Sequence, residues 1–223
     1  MRIFFSRART VAAVVAASFF ACAPPARAAA PLAGDLFVID PGHGARFANG
    51  AALNVGAVGP HGVQEQVVTL DVAEDLARLL RAAGARVILT RSHAHPFRTA
   101  GERNADNRSR AALANRLHAT AIVAIHADSS LDPAQHGTSV FWLKPNSAPL
   151  AAAMRRALRT LGFGESEYRV RELAITRIAI VPAVLIELGF VSNPSEERAL
   201  ATPAVQERAA RALFGALRET FGT

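Results

Sequence analysis

Five short apolar runs are separated by stretches with helical spacing: LFVID (36–40), RVILT (86–90), AIVAI (121–125), TSVFWL (138–143) and PAVLIEL (182–188). Runs of this length, bounded by turn residues, read as buried strands. After the first, Val68, Val72, Leu76 and Leu79 fall on one helical face with Glu74, Asp75 and Arg78 off it, and Gly84 follows as a stop. A second helix is expected to end near Leu117 and a third to cover residues 149–161. The last enters through SNPSEE, where Asn193 can cap, Pro194 suits the first turn and Glu196 and Glu197 suit the positive helix end. Helical spacing then resumes over residues 205–221. Residues 45–64 and 92–109 read as loops. Strands alternating with helices predict an α/β fold. The expectation is a single domain with a twisted, mostly parallel sheet and helices on both faces.

The amino terminus stands apart from that pattern. A basic start, MRIFFSRAR, precedes the apolar TVAAVVAASFFACA and then PPARAAA, whose small residues suit cleavage after Ala28. Residues 1–28 are therefore expected to be a secretory signal, leaving residues 29–223 as the folded domain. FFAC also loosely matches a lipid-anchor motif at Cys22, without the usual leucine. The leader holds four arginines and no acid, so the remainder carries 21 basic against 18 acidic side chains. A mildly basic exported domain suits an anionic polymer, and nothing in it resembles a nucleic-acid stripe. Cys22 is the sole cysteine, so residues 29–223 offer no disulfide, thiol nucleophile or thiolate ligand. A metal site there must use histidine and carboxylate.

In open α/β sheets reactive groups gather beyond the carboxyl ends of the strands. His43 follows LFVID on the turn PGHG, His126 follows AIVAI, and Glu187 closes PAVLIELGF. Glu65 begins the first helix, within reach of the same edge through a glycine-bearing loop. Two imidazoles and a carboxylate form a common catalytic zinc shell, and a further carboxylate can then move the proton. Two histidines and two acids supply that complement. Asp40 and Asp128 flank the histidines and are candidates to orient their rings. Glu187 interrupts an apolar run, where a buried carboxylate needs a cation, a partner or a raised pKa; an arginine salt bridge is the alternative reading. His61, His93, His95, His118 and His136 carry no comparable placement.

Together VIDPGHG, GVQEQVVTLDVAEDLARLLRAAGARVILTR, RAALANRLHATAIVAIHADSS and PAVLIELGFVSNPSEERAL resemble the zinc-dependent N-acetylmuramoyl-L-alanine amidases of the Amidase_3 type, from about Leu36 to the C-terminus. The resemblance implies a peptidoglycan hydrolase that cuts the amide between N-acetylmuramic acid and L-alanine of the stem peptide. It implies Zn2+ held by His43, Glu65 and His126, with Glu187 as the catalytic acid/base. It also implies a peptidoglycan or muropeptide substrate. The leader is too short and wrongly flanked for a membrane span, so no integral span is expected; export to the periplasm is the favoured location and a monomer the default.

Two departures from the family pattern bear on function. The loop before RAALAN is long and rich in arginine, and Arg98, Arg103 and Arg108 either meet stem-peptide carboxylates or face water, the second being favoured. Division-linked members carry a blocking helix after the fourth strand, and the gap here is too short for one, so an ungated enzyme is expected. The rivals are a zinc exopeptidase using the same ligand set and a catalytically dead wall-binding protein.

Overall fold

The computed structural model describes residues 30–44, 54–92 and 103–222, with only the backbone of residues 103–106. The expected leader, Arg98, His93 and His95 lie outside the described residues, as does the Arg103 side chain.

Six strands form one sheet in the order β2-β1-β3-β6-β4-β5. They are β1 (Leu36–Pro41), β2 (Arg86–Leu89), β3 (Ala121–Asp128), β4 (Thr138–Trp142), β5 (Glu165–Val170) and β6 (Ala183–Phe190). β2, β1, β3 and β6 run parallel; β4 is antiparallel to β6 and parallel to β5. The central strands are almost wholly buried, which is why they read as unbroken apolar runs. β2 alternates exposed and buried residues, as an edge strand can.

Helices cover both faces. α1 (Glu65–Ala82), α3 (Ala148–Leu158) and α6 (Pro203–Phe221) pack on the larger core, with Phe37, Val123, Ile125, Val184 and Ile186 from the sheet. α2 (Arg103–Arg116) and α4 (Ala174–Ile178) pack on the smaller one, against Val38, Ile122, Ala124 and Leu185. The α1 stripe runs through Val68, Val72, Leu76 and Leu80, while Leu79 packs only partly against the core. Gly84 has φ +92° just past the helix, a conformation that costs other residues and serves as its stop.

Three local readings change. Residues 103–109, expected as loop, are helical, because α2 begins in a polar stretch with no apolar period. β5 (ESEYRV) is an additional strand at the sheet edge, and α4 is an additional short helix. The closing helical stretch is two helices. In α5 (Pro194–Leu200) the Asn193 side chain accepts from the amides of Ser195 and Glu196 at 2.9 and 3.1 Å, as its sequence predicts. Glu196 and Glu197 do more than face a helix dipole. Buried Glu196 accepts from the amides of Gly137 and Phe190 at 2.8 and 2.7 Å, and buried Glu197 accepts from those of His61 and Val63 at 2.8 and 3.1 Å. Glu197 thereby fixes the segment that delivers Glu65.

Candidate metal centre and active site

β1 ends in the turn Pro41-Gly42-His43-Gly44, and His43 adopts φ +60°, a conformation rare for a side chain with a Cβ. Two buried arginines hold it there. Arg110 donates from Nη1 to Asp40 Oδ1 at 2.8 Å and to Pro41 O at 3.0 Å, and from Nη2 to His43 O at 3.0 Å. Arg91 donates from Nε to Pro41 O at 3.1 Å, and from Nη2 to Gly42 O and Gln66 O, each at 2.8 Å. The second arginine joins the His43 turn to the first turn of α1, where Glu65 sits. Strain at a functional turn persists only where surrounding bonds over-determine it, and these do.

Asp40 therefore acts differently from the role its sequence position suggested. Its carboxylate pairs with Arg110 and accepts from the Thr90 hydroxyl beneath the turn. Asn54 meets the His43 ring instead, with Nδ2 at 2.8 Å from Nδ1, while its Oδ1 accepts from the Gly56 amide at 3.0 Å. Asp128 accepts from the Ser129 amide at 2.8 Å.

The chain brings His43, Glu65 and His126 together. Glu65 Oε1 lies 3.0 Å from His43 Nε2 and 3.0 Å from His126 Nδ1, and the two rings meet edge to face with centroids 4.9 Å apart. One ligand atom from each residue lies within 4.8 Å of the others. The Glu65 side chain is 5% exposed, the imidazoles 22% and 20%, so the cluster is walled below and open above. Glycines allow that closeness. A Cβ on Gly42 would come within 2.4 Å of the His126 ring, and one on Gly56 within 2.5 Å of Glu65 Oε2.

His126 and Glu187 lie inside β3 and β6 rather than beyond them, because β3–β6 pairing continues to Asp128↔Phe190 across an irregularity. His126 is the direct cross-strand partner of Glu187, and Glu187 in turn of Ser139 on β4. Glu187 lines the same solvent-open cleft of about 420 Å3 as the three converging residues, Asn54 and Asp128. The expected alternative of an arginine salt bridge is not realised: among the described residues Glu187 makes no ion pair, and its buried Oε2 has no hydrogen-bond partner.

The acids differ in character. Burial raises the Glu65 pKa, but hydrogen bonds and charge from His126 and His43 outweigh it and hold the carboxyl well below the usual range. Burial pushes Glu187 well above that range, and the nearby Asp128 and Glu65 carboxylates add to it, only partly offset by Arg171. Burial also raises Asp128. Two acids of one cleft are thus pushed in opposite directions, the kind of contrast from which acid–base roles are argued. His61 is placed elsewhere, its Nδ1 2.6 Å from Glu197 Oε2. Among the described residues the His43–Glu65–His126 cluster is the one place where three such side chains converge. Its donor set, two imidazoles and one ionised carboxylate, fits zinc.

Sequence reasoning missed Asn54, Arg91, Arg110 and Ser139. Arg91 could have been found, since it follows strand RVILT just as His43 follows LFVID. Arg110 is fully buried although arginine normally marks a surface.

A doubly covered α/β sheet with a His–Glu–His cluster and an unpaired, partly buried acid along its carboxyl edge has the parts of a metal-assisted hydrolase. The chain belongs to the Amidase_3 family, described as N-acetylmuramoyl-L-alanine amidase, whose profile matches residues 37–219. It is 32% identical over 170 residues to the probable cell wall amidase LytH of Staphylococcus saprophyticus, covering 76% of this chain and 52% of that protein. The chain thus spans about half the length of that curated relative. Among solved structures it is similar to the catalytic domain of CwlV, an N-acetylmuramoyl-L-alanine amidase from Bacillus (Paenibacillus) polymyxa var. colistinus. That match has a TM-score of 0.73 at 29% identity and covers 83% of this chain and 97% of the other. It is also similar to the N-acetylmuramyl-L-alanine amidase Ami1 of Mycobacterium smegmatis, with TM-score 0.73, 27% identity, and coverage of 85% and 98%.

Proposed function

We propose that this chain is a zinc-dependent peptidoglycan amidase that hydrolyses the amide between N-acetylmuramic acid and L-alanine of the stem peptide. The observation that carries the reading is Glu65 Oε1 standing 3.0 Å from both His43 Nε2 and His126 Nδ1, beside Glu187, whose buried Oε2 has no hydrogen-bond partner among the described residues. His43, Glu65 and His126 would hold the metal. Zinc there supplies Lewis acidity, which makes water nucleophilic near neutral pH and polarises the scissile carbonyl.

Glu187 has the protein's part in the proton transfers. Its carboxylate takes a proton from the attacking water as the new C–O bond forms, and returns it to the alanine nitrogen as the C–N bond breaks. A raised pKa suits the second task, since an acid that leaves its proton too readily cannot protonate an amine. Arg91, Arg110 and Asn54 keep His43 in place throughout.

The same reading makes residues 1–28 an export signal and the periplasm the site of action. No helix among the described residues is long and apolar enough to cross a membrane. β4 passes to α3 through residues 143–147 alone, which leaves no room for a blocking helix and supports an enzyme working without an activating partner at this position. The test is mass spectrometry of muropeptides digested by the purified protein, with and without a chelator. The expected products are stem peptides with new L-alanine amino termini, abolished by chelation and restored by zinc. Release of free amino acids would point to an exopeptidase instead.

A further inference from the structure

Beyond Glu187, the same sheet face brings two arginines over one buried ring. Strand register aligns His126, Glu187, Ser139 and Glu167 in a row across β3, β6, β4 and β5, and Leu185, Phe141 and Arg169 in the next row. Residues two apart share a face, so Arg171 follows Arg169 on this one, its amide donating to Trp142 O at 2.8 Å. The Arg171 guanidinium stands 4.8 Å from the Phe141 centroid and that of Arg169 5.8 Å from it. A buried ring under two long side chains fixes where their charges stand.

Arg169 is already tied to Glu167. Arg171 is exposed and, among the described residues, has no carboxylate at ion-pair distance. Phe141 lies two residues along β4 from Ser139, the cross-strand partner of Glu187, so the guanidinium over that ring stands one row from the cleft. A guanidinium without an ion-pair partner among the described residues, held at the margin of the cleft, offers an anionic group of a ligand a place to bind.

The inference rests on the amidase reading, in which the substrate has one charged half. Its N-acetylated sugars are neutral, and the lactyl carboxyl is consumed in the scissile amide. The stem peptide keeps free carboxylates. We propose that Arg171, steadied over Phe141 beside Arg169, is the subsite for a stem-peptide carboxylate, so that the peptide half of the substrate lies over β4 and β5. The enzyme then distinguishes free-acid stems from amidated ones.

The experiment compares a soluble muramoyl tripeptide with the same compound amidated at its carboxylates, using the zinc-loaded full chain and its Arg171→Gln variant. One charge-assisted bond corresponds to about a tenfold lower KM for the free acid in the parent enzyme, a preference that Arg171→Gln should erase with a much smaller change in kcat. Arg171→Lys should keep part of it. Equal KM values for both compounds in the parent, or a preference that survives in Arg171→Gln, would overturn the proposal. Calorimetric titration with the released free-acid peptide reads the subsite without turnover. Cleavage of both compounds with equal affinity defeats the subsite and leaves the amidase intact. Peptide binding lost only in Arg171→Gln, without any cleavage, supports the subsite and defeats the amidase reading.

Discussion

Ser139 and Glu187 stand directly opposite each other on β4 and β6, and each buries an oxygen that lacks a hydrogen-bond partner among the described residues. Native structures rarely leave such atoms unpaired, and two on facing positions are complementary, since a hydroxyl can rotate to donate to a carboxylate. The contact is not made in this structure, but a turn of the Ser139 side chain would let its hydroxyl donate to ionised Glu187.

Ser139→Ala should then lower kcat by about tenfold, the scale of one hydrogen bond to a charged group, while zinc content stays at the parent level. Loss of that donor disfavours the carboxylate, so the acid limb of the pH–rate profile should move to higher pH. Ser139→Thr, which keeps the hydroxyl, should largely restore both. Steady-state kinetics across pH with parallel metal analysis decides it; an unmoved profile in Ser139→Ala would remove Ser139 from the site.

Glu187→Gln should retain metal and lose turnover by about 10²–10⁴-fold, the range of a general acid–base group. It should also make the metal-free protein more stable near neutral pH. A carboxyl whose folded pKa is raised by burial favours folding only while protonated. Its contribution is complete below the ordinary glutamate range and is lost as pH rises through the folded value. The variant's advantage should therefore be absent in acid and appear as pH climbs, as a rise in Tm of about 2–4 °C per kcal/mol for a domain of this size. Thermal unfolding with excess chelator across that pH range checks the sign.

Arg110→Ala should destabilise the fold by about 3–5 kcal/mol, because it leaves Asp40 charged and buried without its partner. Arg110→Lys keeps the charge but cannot reach Asp40, Pro41 and His43 with one planar fork. That variant should fold and bind zinc more weakly than the parent. Denaturant unfolding with chelator, alongside competition against a chromophoric zinc indicator, separates the two effects.

Much of this arrangement was legible in the sequence because the central strands are buried on both faces. LFVID, AIVAI and PAVLIEL stand out as apolar runs, and a polar residue at the end of such a run has few places to go. His43, His126 and Glu187 were found in that way, and Glu65 from the start of the next helix. β5 escaped notice because an edge strand under solvent need not be apolar, and ESEYRV reads as a charged loop. The first turns of α2 escaped because RNADNRS has no apolar period. Asp40 was visible, but its partner was not: whether an acid beside a histidine meets the ring or holds the backbone depends on Arg110, 70 residues away in the chain. Ser139 had no signal of its own, since its placement comes only from antiparallel pairing with β6.

The convergence of His43, Glu65 and His126 on one ion is tested most directly by elemental analysis of the purified, folded chain and its variants. One zinc per chain is expected in the parent and in Glu187→Gln, with loss in His43→Ala, Glu65→Ala and His126→Ala despite circular dichroism like the parent's. A folded parent chain that takes up no zinc from an excess of the metal, or retention of full zinc in all three ligand variants, would contradict the account.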